Sequence, residues 1–380
     1  MRTTERRRAR ATAPVRVADA GGWTDTWFAG HGAVCNVAVG PAVAVEVEVS
    51  GQPSSDDGPS SGGGPSSDGG PSGIGDGWVV ELDVRDFGDS YRFHLDAPPA
   101  RHPLLEAALA RALRLAADGA PGRQPFIGPG TLRARIEASV PPGSSLGTSA
   151  AVTVALLSAA TAALAPERAT APQELARQAH LVETEDLGDQ SGIQDQVAAA
   201  HGGALLVEMG AYPLADARPL RLTEATWDAL ADRLVTVYLG RPHRSSAVHE
   251  AVIERLVGST AGQVQARLEP LRAAARASAA ALEAGDLAAY GRALVANTAA
   301  QAGLDKRLIG ADARAVIDRA GRVGVDGWKV NGAGGDGGSV TVLAGGGGRA
   351  ALVAALAGLG PRFTVLDLRP QRSGVAVTVG

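Results

Sequence analysis

The segment PPGSSLGTSAA, residues 141–151, leaves this chain few choices of local fold. Before it stands TLRARIEAS (131–139), whose apolar residues alternate as in a strand; after it an alanine-rich run from about Ser149 to Leu164 reads as a helix. The mouth of a helix leaves its first-turn amides unpaired and carries the positive end of the macrodipole. Gly143 and Gly147 let an anion approach the backbone closely, and Ser144, Ser145, Thr148 and Ser149 add hydroxyls, which also suit Mg²⁺. The loop is no Walker A sequence, because the glycines are too close and no lysine follows, and it lacks the dinucleotide G-x-G-x-x-G. A plain structural turn of small residues is the alternative reading.

Around this unit the chain divides in two. At 380 residues it exceeds one ordinary core. Strand patterns at 33–49, 78–84, 90–96 and 203–209 and helical ones at 103–117 and 173–187 make a mixed N-terminal domain, 11–215. A strand at 233–239 opens the C-terminal domain, 216–380, with helices near 246–257, 263–284, 286–300, 311–321 and 348–358. Strands are expected there at 339–345, 363–368 and 374–379. Residues 1–10 read as a basic, flexible tail, and the Gly/Ser/Pro-rich 51–77 as a disordered insertion in a loop. No internal repeat is seen.

Three motifs in order resemble those of the GHMP small-molecule kinases. In the loop, Pro141, Gly143, Leu146, Gly147, Thr148, Ser149 and Ala150 match the second motif, P-x-G-x-G-L-(G/S)-S-S-A, with Ser145 where glycine is usual and Thr148 in place of the first serine of the pair. APVRVADAGGWTDT (13–26) resembles the first, A-P-x-R-x-x-(L/F)-x-G-x-x-T-D, and KVNGAGGDGG (329–338) the glycine-rich third, with Asp336 replacing a glycine. A carboxylate beside phosphates is repulsive, so Asp336 is expected to point away. AGGWTDT followed by GHGAVCNVAV most resembles the branch of fucokinase and D-glycero-D-manno-heptose 7-phosphate kinase. The resemblance implies an α+β fold of two domains with the active site between them. The N-terminal domain would hold a left-handed βαβ unit, against the usual rule, and the C-terminal one would be ferredoxin-like.

The same resemblance implies an ATP- and Mg²⁺-dependent kinase of the anomeric hydroxyl of a sugar or sugar phosphate, such as D-glycero-D-manno-heptose 7-phosphate. Asp195, in GIQDQ, would approach the acceptor hydroxyl as base, with Arg16 beside it keeping it charged. Pro142, Gly143, Ser144, Ser145, Leu146, Gly147, Thr148, Ser149 and Ala150 would hold ATP, with Gly332, Gly334 and Gly335 of the third motif. Trp23, Thr24 and Asp25 would contact the sugar, and Ser149 and Glu183 the metal. Glu183 has its own argument: with Leu175 and Ala179 it follows an i, i+4, i+8 stripe, where a carboxylate is costly unless paired or metal-bound. Glu185, Asp186 and Asp189 read as solvated. In GRPHRSSAVHEAV (240–252), Arg241, His243 and Arg244 precede a helix start, a pattern suited to a distal substrate phosphate if the loop faces the cleft.

Other classes fit poorly. A net charge of −4 gives no pull toward nucleic acid or acidic membranes. Cys35 alone allows no internal disulfide, which suits a cytoplasmic protein, and the basic start lacks the apolar run of a secretory signal. The expected partners are ATP and a small sugar or sugar phosphate, for a monomer or homodimer. The alternatives are a kinase of an unphosphorylated, L-fucose-like sugar or of a cyclitol, and a non-kinase or non-catalytic relative.

Overall fold

The computed structural model describes residues 5–51, 77–118, 129–168, 170–242 and 247–380. Two long strands, β1 (Glu5–Ala20) and β2 (Gly32–Gly51), form the spine of the first sheet. They pair antiparallel from Glu5↔Gly51 to Ala20↔Cys35, and the register slips between Ala13 and Val15 and between Val17 and Ala20. Their length comes from sustained alternation: Val43, Val45, Val47 and Val49 are buried, while Glu46 and Glu48 face outward. The expected flexible tail 1–10 is corrected here, because the chain is strand from Glu5 onward. Its arginines alternate with buried Ala9 and Ala11, and the outward ones meet acids, as in the Arg8–Glu46 pair. Most of the expected insertion, residues 52–76, lies outside the described residues.

The sheet continues with β3 (Val79–Val84), β4 (Asp89–His94), β5 (Gly130–Ala138), β6 (Ala204–Ala211) and β7 (Leu214–Pro219). Helices α1 (Pro103–Ala117), α2 (Thr148–Leu164), α3 (Pro172–Leu181) and α4 (Gln194–His201) complete this half. Among the described residues of this half only β3 with β5 pairs in parallel. Helix α2 is apolar nearly all round and lies against α1, β1 and β2, buried as such helices must be.

After α5 (Glu224–Arg233) come β8 (Leu234–Tyr238), α6 (Ala247–Val257), α7 (Ala261–Glu283), α8 (Leu287–Leu304) and α9 (Ala311–Gly321). Then follow β9 (Val325–Val330), β10 (Ser339–Ala344), α10 (Gly348–Ala357) and β11 (Thr364–Leu366). The second sheet runs β11-β8-β10-β9, antiparallel throughout. In order of occurrence that is 4-1-3-2, the ferredoxin-like arrangement expected for this half. Strands β12 (Arg369–Pro370) and β13 (Ala376–Val379) then return to the first sheet, pairing with β2 and β1. Strand β7 straddles the expected boundary at 215/216, and α7 packs on β1 and β2, so the two halves share structure across it.

Helix α8 reaches β9 because two glycines face each other. A Cβ on Gly291 would lie 2.3 Å from the Asp326 carbonyl oxygen, and one on Gly327 would lie 2.2 Å from that of Gly291. This contact seats the strand that leads into the third motif. Gly291→Val is expected to destabilise the protein by about 1–3 kcal/mol through overpacking, read as a lower urea midpoint at unchanged slope.

Candidate active site

The irregular end of β1 supplies the first part of the site. Register slips re-aim side chains, and here they turn Arg16 and Asp19 inward, 4% and 0% exposed. Ala18 and Trp23 take left-handed backbone, with φ of 54° and 77°. Asn297 Oδ1 accepts from the Gly21 amide at 2.7 Å, and the Trp23 indole donates to the Ala333 carbonyl at 3.0 Å. Thus the first and third motifs are bound to one another across the two halves.

The loop 141–147 supplies the second part. Gly147 precedes α2 with φ of 74°, and a Cβ there would lie 3.1 Å from the Asp195 carboxyl. Glycine is therefore needed both for the turn and for the approach of Asp195. Ser145, where the motif has glycine, also takes a left-handed φ of 59°. That explains the usual glycine; serine costs about 1–3 kcal/mol of strain at such a position. The Ser145 carbonyl accepts from the Arg16 guanidinium, which also grips Asp195 through Nε–Oδ1 at 2.8 Å and NH2–Oδ2 at 3.1 Å. Burial lowers the pKa of Arg16, but Asp19 and Asp195 more than offset this and hold it above its ordinary value.

Asp195 opens onto a cavity of about 230 Å³. Trp23, Trp27, Phe28 and Ile253 give it an apolar wall; Arg16, Asp25, Gln194 and Asp195 give it a polar one. Asp25 accepts the Gln194 amide at 3.1 Å, and burial pushes its pKa up to about 6. A Cβ on Gly192 would lie 2.2 Å from the Asp25 carboxylate, so the 190–194 segment lies directly on that residue. Tyr212 pins this segment by donating to the Ser191 carbonyl at 2.9 Å, and its oxygen lies 2.8 Å from Nε2 of His180, whose pKa burial lowers to about 4.

Several expected residues lie elsewhere or act differently. Thr24 does not reach the cavity: it is fully buried, and its hydroxyl is occupied by Gly21 and Ala33. Arg241 lines a different cavity, of about 650 Å³, with Arg307, Arg314 and Asp336, and pairs with Asp312 at 2.6 Å. Arg244 and His243 lie outside the described residues. Asp336 is exposed and lines the same cavity as Arg241. The Gly332 amide is bonded to Asp19 and the Gly335 amide to the Leu308 carbonyl, so neither is free for a phosphate. Gly334 gives its carbonyl to His249 at 2.8 Å. Leu146 and Ala150 are buried and can offer only backbone to ATP. Pro142, Gly143, Thr148 and Ser149 instead border a cavity of about 310 Å³, with Phe87, Leu104 and Val152 on its apolar side.

Glu183 also differs from expectation. Helix α3 ends at Leu181, and a π-helical turn, Val182–Asp186, takes Glu183 off the i, i+4 stripe. It is half-buried and accepts from Gln196 at 3.0 Å. Burial pushes its pKa up to about 7, with the charge of Asp195 adding to the rise. Asp186 is not simply solvated, since Arg111 and Arg114 pair with it. Among the described residues no group of three or more His, Cys, Asp or Glu could enclose a metal. Mg²⁺ commonly takes one or two carboxylates and completes its shell with water and phosphate oxygens. Once deprotonated, Glu183 would offer one such carboxylate, at the cost of the proton its burial retains, and the Ser149 hydroxyl stands on the exposed first turn of α2.

Residues 107–203, which hold the loop, Glu183 and Asp195, match the family described as GHMP kinases N terminal domain. The chain carries a GHMP kinase N-terminal domain. Over nearly its whole length the chain also shares the fold of solved kinases. A D-glycero-D-manno-heptose 1-phosphate kinase from Bacteriodes thetaiotaomicron superposes with a TM-score of 0.65 at 19% identity, over 97% of this chain and 98% of that one. Lactococcus lactis galactokinase complexed with galactose gives 0.67 at 16%, over 97% and 95%. Methanococcus jannaschii mevalonate kinase gives 0.66 at 16%, over 96% and 98%. No curated protein matches the sequence. No helix among the described residues is long and apolar enough to cross a membrane.

The raised carboxyl of Glu183 sets a pH signature. A carboxyl whose folded pKa lies above its ordinary 4.5 contributes stability below that value and loses it as pH rises through about 7. Glu183→Gln lacks this loss, so it should gain stability relative to the parent between about pH 5 and 7. Calorimetric melting of both proteins across that window checks it, since the buried histidines drive both proteins alike and cancel in the difference.

Proposed function

We propose that this chain is an ATP- and Mg²⁺-dependent kinase that phosphorylates the anomeric hydroxyl of a neutral sugar. The observation that carries the reading is the Arg16–Asp195 pair, seated against Gly147 at the mouth of α2 and opening on the cavity shared with Asp25. Such a pair sets a charged carboxylate between a phosphate-accepting helix mouth and an acceptor pocket.

In this reading the sugar lies with its apolar face on Trp23, Trp27 and Phe28 and its hydroxyls toward Asp25 and Asp195. The acceptor oxygen bonds to the γ-phosphorus as the bond to the ADP oxygen breaks. Its proton passes to Asp195, and ADP leaves. Arg16 occupies one side of both Asp195 oxygens and so orients the carboxylate toward the cavity. Late proton transfer to Asp195 suits a loose transition state with little charge demand on the nucleophile. Glu183 and Ser149 would hold Mg²⁺, which neutralises charge on the phosphates when bound.

The neutral sugar is placed ahead of heptose 7-phosphate for a reason of charge. Among the described residues lining the cavity the basic ones are Arg16, already gripped by Asp195, and His249, whose pKa burial lowers. Arg241 belongs to another cavity. A pocket with an apolar wall and two carboxylates favours a neutral hexose or deoxyhexose of the L-fucose kind.

The test is ADP release across free sugars and heptose 7-phosphate, with product NMR to locate the new phosphate. Free sugars should turn over, with the phosphate on C1; turnover restricted to phosphorylated sugars would overturn the neutral-sugar assignment. Asp195→Asn should lower kcat by about 10²–10⁴-fold while ATP affinity stays within about threefold.

A further inference from the structure

We propose that Asp19 is a positioning residue for phosphoryl transfer, clamping the C-terminal glycine-rich loop and the Arg16 guanidinium into one arrangement across the cleft. The proposal rests on reading that cleft as a kinase centre. Asp19 is fully buried at the irregular end of β1. The Gly332 amide donates to both of its oxygens, at 3.1 and 3.0 Å. Lys329 Nζ lies 3.7 Å from Oδ1, and Arg16 NH1 lies 3.8 Å from the same atom.

The position is unusual for its sequence context. The motif that residues 13–26 resemble has leucine or phenylalanine where Asp19 stands. A carboxylate in place of an apolar side chain is tolerated only with partners. Here they come from both halves: Arg16 from β1, Lys329 from β9 and the Gly332 amide just after it. Lys329 is itself 1% exposed, and its ammonium also donates to Gln301 Oε1 at 3.2 Å and to the Val330 carbonyl.

From Asp19 a continuous set of contacts reaches the acceptor site. Gly332, held by Asp19, lies against Ser145, where an added Cβ would come within 3.1 Å of the serine Cβ. The Ser145 carbonyl accepts from Arg16, and Arg16 grips Asp195. Without Asp19, Gly332 is free to lift from Ser145, and Arg16 loses the charge that draws it away from Asp195. The phosphate loop and the acceptor carboxylate then lose their common register, a loss that falls on the chemical step. Charge neutrality alone would not require this pair, because a buried ion pair can often be replaced by two apolar side chains without loss of stability.

That difference supplies the experiment. Asp19→Leu with Lys329→Met removes both buried charges together, so the double variant is expected to melt near the parent temperature. Its kcat should fall about 10- to 100-fold while KM for sugar and for ATP stays within about threefold. Hydrogen exchange at Gly332, followed by mass spectrometry of a peptide spanning 325–338, should become faster. Asp19→Asn keeps an oxygen for the Gly332 amide, so it should keep slow exchange and lose less kcat than the double variant. A double variant with the parent kcat overturns the proposal. So does one that cannot fold, which would assign the pair to the fold alone. Exchange needs no turnover: if it is unchanged in the double variant the clamp is refuted, whichever reaction the cleft performs.

Discussion

A single buried guanidinium organises the cleft. Arg16 touches the loop before α2 through the Ser145 carbonyl, the acceptor carboxylate through two bonds, and the Asp19 carboxylate at longer range. Guanidinium presents its donors in a fixed fork, so three directions are set at once by one side chain. A lysine ammonium would satisfy the charge and lose the angles. The cost of burying Arg16 also explains its surroundings, because an unpaired buried charge would not persist.

The carboxylates around it have been set apart by environment. Asp195 has its own cation; Asp25 and Glu183 have mainly amide or carboxamide donors, and burial pushes both up. Two acids raised by burial thus stand beside a third that is held by a guanidinium. The Tyr212–His180 contact keeps the segment bearing Asp195 from relaxing, since it ties the Ser191 carbonyl to α3.

Local patterns were readable, and long-range partners were not. Helix α1 falls where its periodicity places it, 103–117, and α2 begins one residue before the expected Ser149. Arg16 and Asp25 of the first motif line one cavity with Asp195 of GIQDQ. The start of β1, alternating arginine and alanine, looks like a solvated tail until β2 supplies acids opposite it. Thr24 and the amides of Gly332 and Gly335 have the chemistry of ligand contacts, yet the fold has already used them. Charge near a helix start says nothing of which cavity it faces, and Arg241 lines the one that also holds Arg307 and Arg314. Asp19 left a visible trace, a carboxylate at an apolar position of a motif; its meaning depended on Lys329, far along the chain.

The return of β13 to β1 has a consequence for biogenesis. The outer partner of β1 belongs to a segment that leaves the ribosome only after the entire second sheet. Until then β1 has β2 on one side and an open row of amides and carbonyls on the other. Maturation of the first half must therefore wait for synthesis of the second, so the two halves reach their finished state together rather than in turn.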